Sequence, residues 1–232
     1  MVINDKDLGE IRLVENKRAR RIIVRRKDDH LQLTYPPSIT ISYIEKTIAE
    51  MKPRLKSLIE KKPDRITFSP ESEFSTFSFR LQITTSISAS NFYMNLKDGK
   101  LSISCPADTV FGDDSVQTLI RNCIEKALRY EANRIFPSKV KDFAQEYGFK
   151  YTGVKINKSR TRWGSCSSKK SINLSYYCML LPEHLADFVI LHELCHTVEM
   201  NHGEKFWQLL DNISGGKSKE LTSELRLFKT VI

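Results

Sequence analysis

Apolar and polar residues alternate along two stretches of the chain, and each stretch then gives way to helical periodicity. The first reads RIIVRRKDDHLQLTYPPSIT and the second reads FYMNLKDGKLSISCPADTV. Each alternates, turns at Asp-Asp or Asp-Gly, alternates again and stops at proline, which is typical of a β-hairpin. The amphipathic segments that follow predict helices over residues 42–61 and 115–136. We interpret residues 1–135 as a strand–strand–helix unit used twice, although two common patterns can also coincide.

The first predicted helix carries one apolar stripe and one proline. The stripe consists of Ile44, Ile48, Met51, Leu55, Leu58 and Ile59. Pro53 lacks the backbone N–H that a helix interior requires, so we expect it to strain or split the helix. Residues 64–90 are rich in Ser, Thr and Phe and predict further strands that link the two units.

A third apolar segment predicts a buried helix that begins at Pro182-Glu183. Proline suits the first turn of a helix, and a carboxylate suits its positive end. Residues 185–191 are apolar on most sides of the predicted helix. Before it, residues 171–177 alternate and predict a strand, and an edge strand near an active site can pair with an extended substrate.

Composition and charge narrow the class of protein. The 232 residues are 40% hydrophobic, which is enough for a packed core, and no apolar run is long enough to predict a membrane span. The N-terminus does not resemble a secretory signal, and the 5 cysteines show no paired spacing, so we expect a reducing cytoplasm. The net charge is +9, and residues 121–170, with 13 basic and 4 acidic side chains, carry an equal surplus. This surplus can attract nucleic acid, or it can be a solvated helix face.

The predicted buried helix contains the string His-Glu-Leu-Cys-His. His192 and His196 are four residues apart and therefore lie on one face, where both can bind one zinc ion. Burying two imidazoles and a carboxylate without partners is costly, and a metal removes that cost. Glu193 lies beside the metal position, which suits a general base that acts on zinc-bound water. We predict one zinc ion per chain.

His202 is the natural third ligand if the chain turns back after the helix. We therefore expect the helix to end near residues 199–201, where Asn201 tolerates a turn. The spacing from His196 to His202 is that of metzincins, but the metzincin glycine is Glu199 here and no methionine follows. Glu199 and Glu204 stay open as oxygen ligands, as partners that orient an imidazole, or as exposed carboxylates.

These residues, together with those before them, resemble the YgjP-like metallopeptidase family. The shared strings are Arg162-Trp163-Gly164-Ser165-Cys166, Ile172-Asn173-Leu174-Ser175, Leu181-Pro182, HELCH, Asn201-His202 and Phe206-Trp207. The resemblance implies an α+β, zincin-like fold, zinc bound by His192, His196 and His202, and Glu193 as catalytic base. We expect a β-rich region with one helix over 1–114 and a catalytic domain with a small mixed sheet over 115–232, whose helix 115–136 also closes the second repeat.

The expected activity is zinc-dependent hydrolysis of peptide bonds in a protein or peptide substrate. The alternative is a nucleic-acid-associated protein that uses the basic 121–170 surface, either with a vestigial or structural zinc site or as a protease for nucleic-acid-bound proteins. A zinc peptidase also needs a donor for the oxyanion, and the candidates are Arg160, Arg162, Tyr176 and Tyr177. Trp163 and Trp207 are expected to wall the site or pack its floor, and Gly164 is expected to let the chain turn.

Overall fold

The protein is described by a computed structural model that covers residues 1–26, 30–60 and 66–232. The predicted turn at Asp28-Asp29, the side chain of Leu58 and the first residues of the 64–90 segment lie outside the described residues. Two compact units make up the chain, Met1–Arg65 and Ile66–Ile232. Both units combine helices with small mixed sheets, so the predicted α+β class is confirmed.

The first unit is a four-stranded sheet followed by one helix. Its elements are β1 (Val2–Asp5), β2 (Gly9–Glu15), β3 (Ile23–Arg26), β4 (Leu31–Tyr35) and α1 (Ile41–Glu60). The strand order is β1-β2-β4-β3, with β2 parallel to β4 and the other neighbours antiparallel. The core consists of one sheet face and the apolar stripe of α1, including Ile11, Leu31, Leu33, Ile44, Ile48 and Leu55.

Helix α1 runs through Pro53 without a break, contrary to the expected split. A proline in a helix leaves the carbonyl four residues earlier without its hydrogen bond. That residue is Ala49, and both Ala49 and Pro53 are exposed. Water can therefore satisfy the carbonyl, while the buried apolar stripe on the other side holds the helix together.

The second unit contains two three-stranded sheets, four α-helices and one 3-10 helix among its described residues. Its elements are β5 (Arg80–Ser86), β6 (Tyr93–Lys97), β7 (Lys100–Pro106), α2 (Asp114–Tyr147), β8 (Gly153–Asn157), β9 (Gly164–Cys166), β10 (Ser171–Ser175), a 3-10 helix (Tyr176–Leu180), α3 (Glu183–Cys195), α4 (Glu204–Ile213) and α5 (Ser218–Leu225). The sheet orders are β5-β7-β6 and β8-β10-β9. In each, the central strand has one parallel and one antiparallel neighbour.

Helix α2 is longer than predicted, because it continues past Pro137 to Tyr147 instead of ending near residue 136. Asp113 caps its start by accepting a hydrogen bond from the Ser115 backbone N–H, and Gly148 ends it with a left-handed φ of 74°. Phe136, Val140 and Ala144 are buried on both sides of the proline. Their burial outweighs the roughly 3 kcal/mol that an interior proline costs.

One core joins α2 to the strands before it and to the helices after it. Ile103 on β7, Ile124 and Leu128 on α2, and Leu194 on α3 all belong to this core. The predicted boundary between residues 114 and 115 therefore lies inside the second compact unit. The division into 1–114 and 115–232 remains the prediction that the catalytic residues lie in the second of these two ranges.

The predicted strand before the active helix is β10, and it is the central strand of its sheet. It pairs with β8 on one side and with β9 on the other, and the 3-10 helix separates it from α3. The edge strand that contacts α3 is β9. Among the described residues, the sheet edge beside α3 therefore belongs to β9 and not to residues 171–177.

Candidate metal centre

Three imidazoles converge at the end of α3. His192 lies in its last turn, His196 caps its end, and His202 lies in the loop before α4. The Nε2 atom of His202 is 3.0 Å from Nε2 of His192 and 3.2 Å from Nε2 of His196. These three residues form the cluster of potential metal ligands that the described part of the chain contains. The structure thus brings together all three histidines that the sequence singled out.

The chain turns back earlier than expected. The α-helix ends at Cys195 and not near residues 199–201. Its last turn tightens, because the backbone N–H of Thr197 donates to the Leu194 carbonyl and that of Val198 donates to the Cys195 carbonyl. The tight turn leaves enough chain for His202 to reach the face that carries His192.

One imidazole is oriented by the backbone. Nδ1 of His196 lies 3.0 Å from the carbonyl oxygen of Glu199, which favours a proton on Nδ1 and a lone pair on Nε2. Glu199 therefore acts through its main chain, whereas its carboxylate is not part of the histidine cluster. The Glu204 carboxylate accepts a hydrogen bond from Gln208 and is not part of the cluster either.

The imidazoles of α3 are held in the neutral form. Burial, together with the neighbouring His196 and His202, lowers the pKa of His192 to about 3. Burial also lowers the pKa of His196, against the opposing effect of its hydrogen bond to Glu199. Neutral imidazole is the form that binds a metal ion, so these side chains need not lose a proton on binding.

Phe206 on α4 forms a common floor under the three imidazoles. Its ring centroid lies 4.9 Å from that of His192, 4.5 Å from that of His196 and 4.7 Å from that of His202, and the residue is 0% exposed. The Trp207 ring packs against both Phe206 and His202. Sequence reasoning placed Trp207 at the site and noted Phe206 only as part of a shared string.

Glu193 is a buried carboxylate without a partner on one oxygen. The residue is 5% exposed, and its Oε2 atom accepts no hydrogen bond from the described residues. Burial raises the pKa of Glu193 to about 8, although the positive charge of Arg162 opposes the rise. A carboxyl with this pKa can take up and release a proton near neutral pH, which is what a general acid–base requires.

Three of the four candidate oxyanion donors, Arg160, Tyr176 and Tyr177, form hydrogen bonds with one carboxylate on α2. Glu125 on α2 accepts hydrogen bonds from Lys158, from Arg160, from Tyr176 at 3.1 Å and from Tyr177 at 2.6 Å. Tyr176 and Tyr177 are buried, and the Arg160 guanidinium also lies over the Tyr177 ring. These contacts give Arg160 and both tyrosines a bracing role, which favours Arg162 among the four candidates.

Trp163 is half-buried against the core of the second unit, as expected for a packing residue. Its carbonyl oxygen accepts hydrogen bonds from the backbone N–H of Ser175 at 2.8 Å and from the Cys178 thiol at 3.2 Å. The backbone before β9 is therefore tied to the end of β10. No sequence signal pointed to Glu125 or to this backbone contact.

Several basic side chains of residues 121–170 are paired with acidic side chains within the protein. Lys158 and Arg160 pair with Glu125, Arg134 pairs with Glu131, and Lys139 pairs with Glu183 and Asp187 on α3. These basic side chains brace the fold and offer less charge to a ligand. Nucleic-acid binding by this surface stays a prediction.

The donor set fits a divalent transition metal. Three imidazole nitrogens 3.0 and 3.2 Å apart approach the ~3.3–3.4 Å spacing of ligands about 2.0–2.1 Å from a tetrahedral zinc ion. A cation bound between these nitrogens would be held by the lone pairs of all three rings.

Comparison with known proteins agrees with this site. The model of the YgjP-like metallopeptidase domain matches residues 20–227, so the chain belongs to the YgjP-like metallopeptidase family and is a hydrolase. The resemblance seen in the sequence is thereby confirmed. A search of curated proteins finds no match.

Two solved structures are similar to part of the chain. Both are metallopeptidase zymogens, abylysin of Pyrococcus abyssi and jannalysin of Methanocaldococcus jannaschii. Abylysin is 20% identical with a TM-score of 0.36 over 41% of this chain and 97% of its own. Jannalysin is 25% identical with a TM-score of 0.35 over 39% of this chain and 92% of its own.

No helix in the described part of the chain is long and apolar enough to cross a membrane.

Proposed function

We propose that the protein is a zinc-dependent peptidase in which His192, His196 and His202 bind one zinc ion and Glu193 is the general base. The observation that carries the proposal is the meeting of three imidazole nitrogens, with a buried carboxylate that has an unpaired oxygen on the residue next to His192. Imidazole ligands suit zinc, and three protein ligands leave a position open for catalysis. A site closed for structure would have a fourth protein ligand.

A zinc ion bound there would polarise a substrate carbonyl and lower the pKa of water beside Glu193. The Glu193 carboxylate would then accept a proton from water and later deliver it to the leaving amine nitrogen. Burial raises the pKa of Glu193, which makes its carboxylate a stronger base towards the water proton. The low exposure of Glu193 keeps bulk water from competing for that proton.

Substrate contacts are proposed for Arg162 and for β9. Arg162 is exposed, and its positive charge opposes the rise in the pKa of Glu193, so the two side chains are near enough to interact electrostatically. It can therefore donate hydrogen bonds to the oxygen that becomes negative during attack on the carbonyl. The outer edge of β9 has no strand partner among the described residues and can pair with an extended peptide.

We also propose that residues 115–232 hold the catalytic machinery, because all residues given a role above lie there. The two N-terminal strand–strand–helix units are proposed to be copies of one unit. Their support is the offset of 70 residues between Lys27–Leu31 and Lys97–Leu101, and the shared sheet pattern of one parallel and one antiparallel neighbour.

The test compares peptides released from a proteome digest by wild-type protein and by Glu193→Gln. We expect wild type to generate new peptide ends and Glu193→Gln to generate none, while both bind zinc equally. Glu204→Gln is the matched control, because this exposed carboxylate accepts a hydrogen bond from Gln208 and is not part of the histidine cluster. Cleavage by Glu193→Gln at the wild-type rate would overturn the assignment of the base.

A further inference from the structure

Gly164, the first residue of β9, lies directly against the Glu193 side chain. A β-carbon built on Gly164 would be 2.6 Å from Oε1, 2.7 Å from Cγ and 2.9 Å from Cδ of Glu193. Carbon atoms essentially never approach that closely, because the repulsion is steep. Every other amino acid at this position would meet the carboxylate.

The lack of room for a side chain, and not an unusual backbone conformation, explains why position 164 is a glycine. The positive-φ glycines of the described chain do not include Gly164, so the expected role as a turn residue is wrong. Gly164 is in a strand and pairs with Leu174 on β10. Gly153 in β8 of the same sheet also lacks a positive φ, and a β-carbon there would contact nothing within 4 Å.

The backbone of β9 cannot easily retreat from Glu193. It is paired to β10, and the Trp163 carbonyl just before it accepts hydrogen bonds from Ser175 and Cys178. The Glu193 carboxylate is the less constrained partner, because its Oε2 atom has no hydrogen bond within the described chain. A side chain at position 164 would therefore move the carboxylate and leave the strand in place.

We propose that Gly164 is a positioning residue for the general base: its missing side chain makes the space that the Glu193 carboxylate occupies, on the residue next to the proposed ligand His192. This inference rests on the proposed function. It predicts that Gly164→Ala keeps its zinc and its substrate affinity but loses turnover, since a displacement of about 1 Å can lower a rate by roughly 100-fold.

The kinetic test uses Gly164→Ala, with Gly153→Ala as the matched control, on the fluorogenic peptide that wild type cleaves best in a peptide library. We expect Gly164→Ala to lower kcat by about 100-fold at unchanged KM and zinc content. Gly153→Ala should keep the wild-type values. A Gly164→Ala kcat within about twofold of wild type, or a loss of activity that a rise in KM or a fall in zinc content explains, overturns the inference.

A stability measurement separates this inference from the proposed function. The contact predicts that Gly164→Ala lowers the urea midpoint when it is introduced into wild type. Introduced into Glu193→Ala, the same substitution should leave the midpoint unchanged, because that background has no carboxylate for the new side chain to contact. Equal lowering in both backgrounds overturns the inference even if the protein is a peptidase. A wild-type protein that cleaves no peptide defeats the proposed function, whereas the stability comparison still decides the contact.

Discussion

Replacing Glu125 with glutamine removes the charge on which four side chains of the second unit converge. The Glu125 side chain is 12% exposed, and Lys158, Arg160, Tyr176 and Tyr177 all donate hydrogen bonds to it. These donors come from the segment between β8 and β9 and from the 3-10 helix before α3. The variant keeps the shape of the side chain and removes its charge.

The pKa of Glu125 sets the size of the effect. Burial alone would raise this pKa, but hydrogen bonds from Lys158 and Tyr177 outweigh burial and lower it from 4.5 to about 2. At ~1.4 kcal/mol per pKa unit, the charged form contributes about 3 kcal/mol to the free energy of unfolding. Glutamine retains some of the hydrogen bonds, so we expect a loss of about 2–3 kcal/mol at pH 7.

The sign of the pH dependence follows from the lowered pKa. Because the carboxyl is more acidic in the folded state, its contribution is complete above pH 4.5 and is lost as the pH falls towards 2. The stability difference between wild type and Glu125→Gln should therefore be largest at pH 7 and shrink through that window.

Urea unfolding followed by tryptophan fluorescence measures this stability difference in the second compact unit. Both tryptophans, Trp163 and Trp207, belong to the second compact unit. Glu146→Gln, an exposed carboxylate on the same helix, is the control and should change the free energy of unfolding by less than ~0.5 kcal/mol. Equal midpoints for wild type and Glu125→Gln at pH 7, or a difference that grows as the pH falls, would refute the reasoning.

Three further substitutions test the packing around the site, each by urea unfolding. Phe206→Ala should cost about 3–5 kcal/mol, because it removes a fully buried ring that supports three imidazoles, and a cost below 1 kcal/mol would contradict that role. Gly148→Ala should cost roughly 1–2 kcal/mol, because φ is 74° at the end of α2, and an unchanged midpoint would contradict it. Lys139→Met should cost about 1–3 kcal/mol, because it leaves the half-buried Asp187 and Glu183 without the cation that they share. The same change should raise the pKa of Asp187 measured by NMR, and an unchanged pKa would exclude the pairing.

Local patterns predicted the start of α3 and the convergence of its histidines. The start at Pro182-Glu183 matches the observed helix, and the four-residue spacing places His192 and His196 together. The requirement that His202 turn back also indicated a loop. The end of the helix was placed too late, because the tightened last turn depends on the backbone bonds of Thr197 and Val198, which no side-chain pattern reveals.

Long-range pairing accounts for most of what sequence reasoning missed. The partners of Glu125 lie between 33 and 52 residues away, so no local spacing marks this carboxylate. Strand alternation identified β10 but could not show that it pairs on both sides, which makes β9 the edge. The predicted helix ends at residue 136, just before Pro137, whereas α2 continues to Tyr147. Val140 and Ala144 stabilise this second half by packing into a core that forms only in the folded protein.

Metal analysis of protein purified without chelators tests the central claim most directly. The account predicts about one zinc ion per chain in wild type and in His184→Ala, an exposed histidine that pairs with Glu224, and no stoichiometric zinc in His202→Ala. Each protein is checked for a folded second unit by tryptophan fluorescence. Folded wild type without metal, or equal zinc in wild type and His202→Ala, would contradict the account.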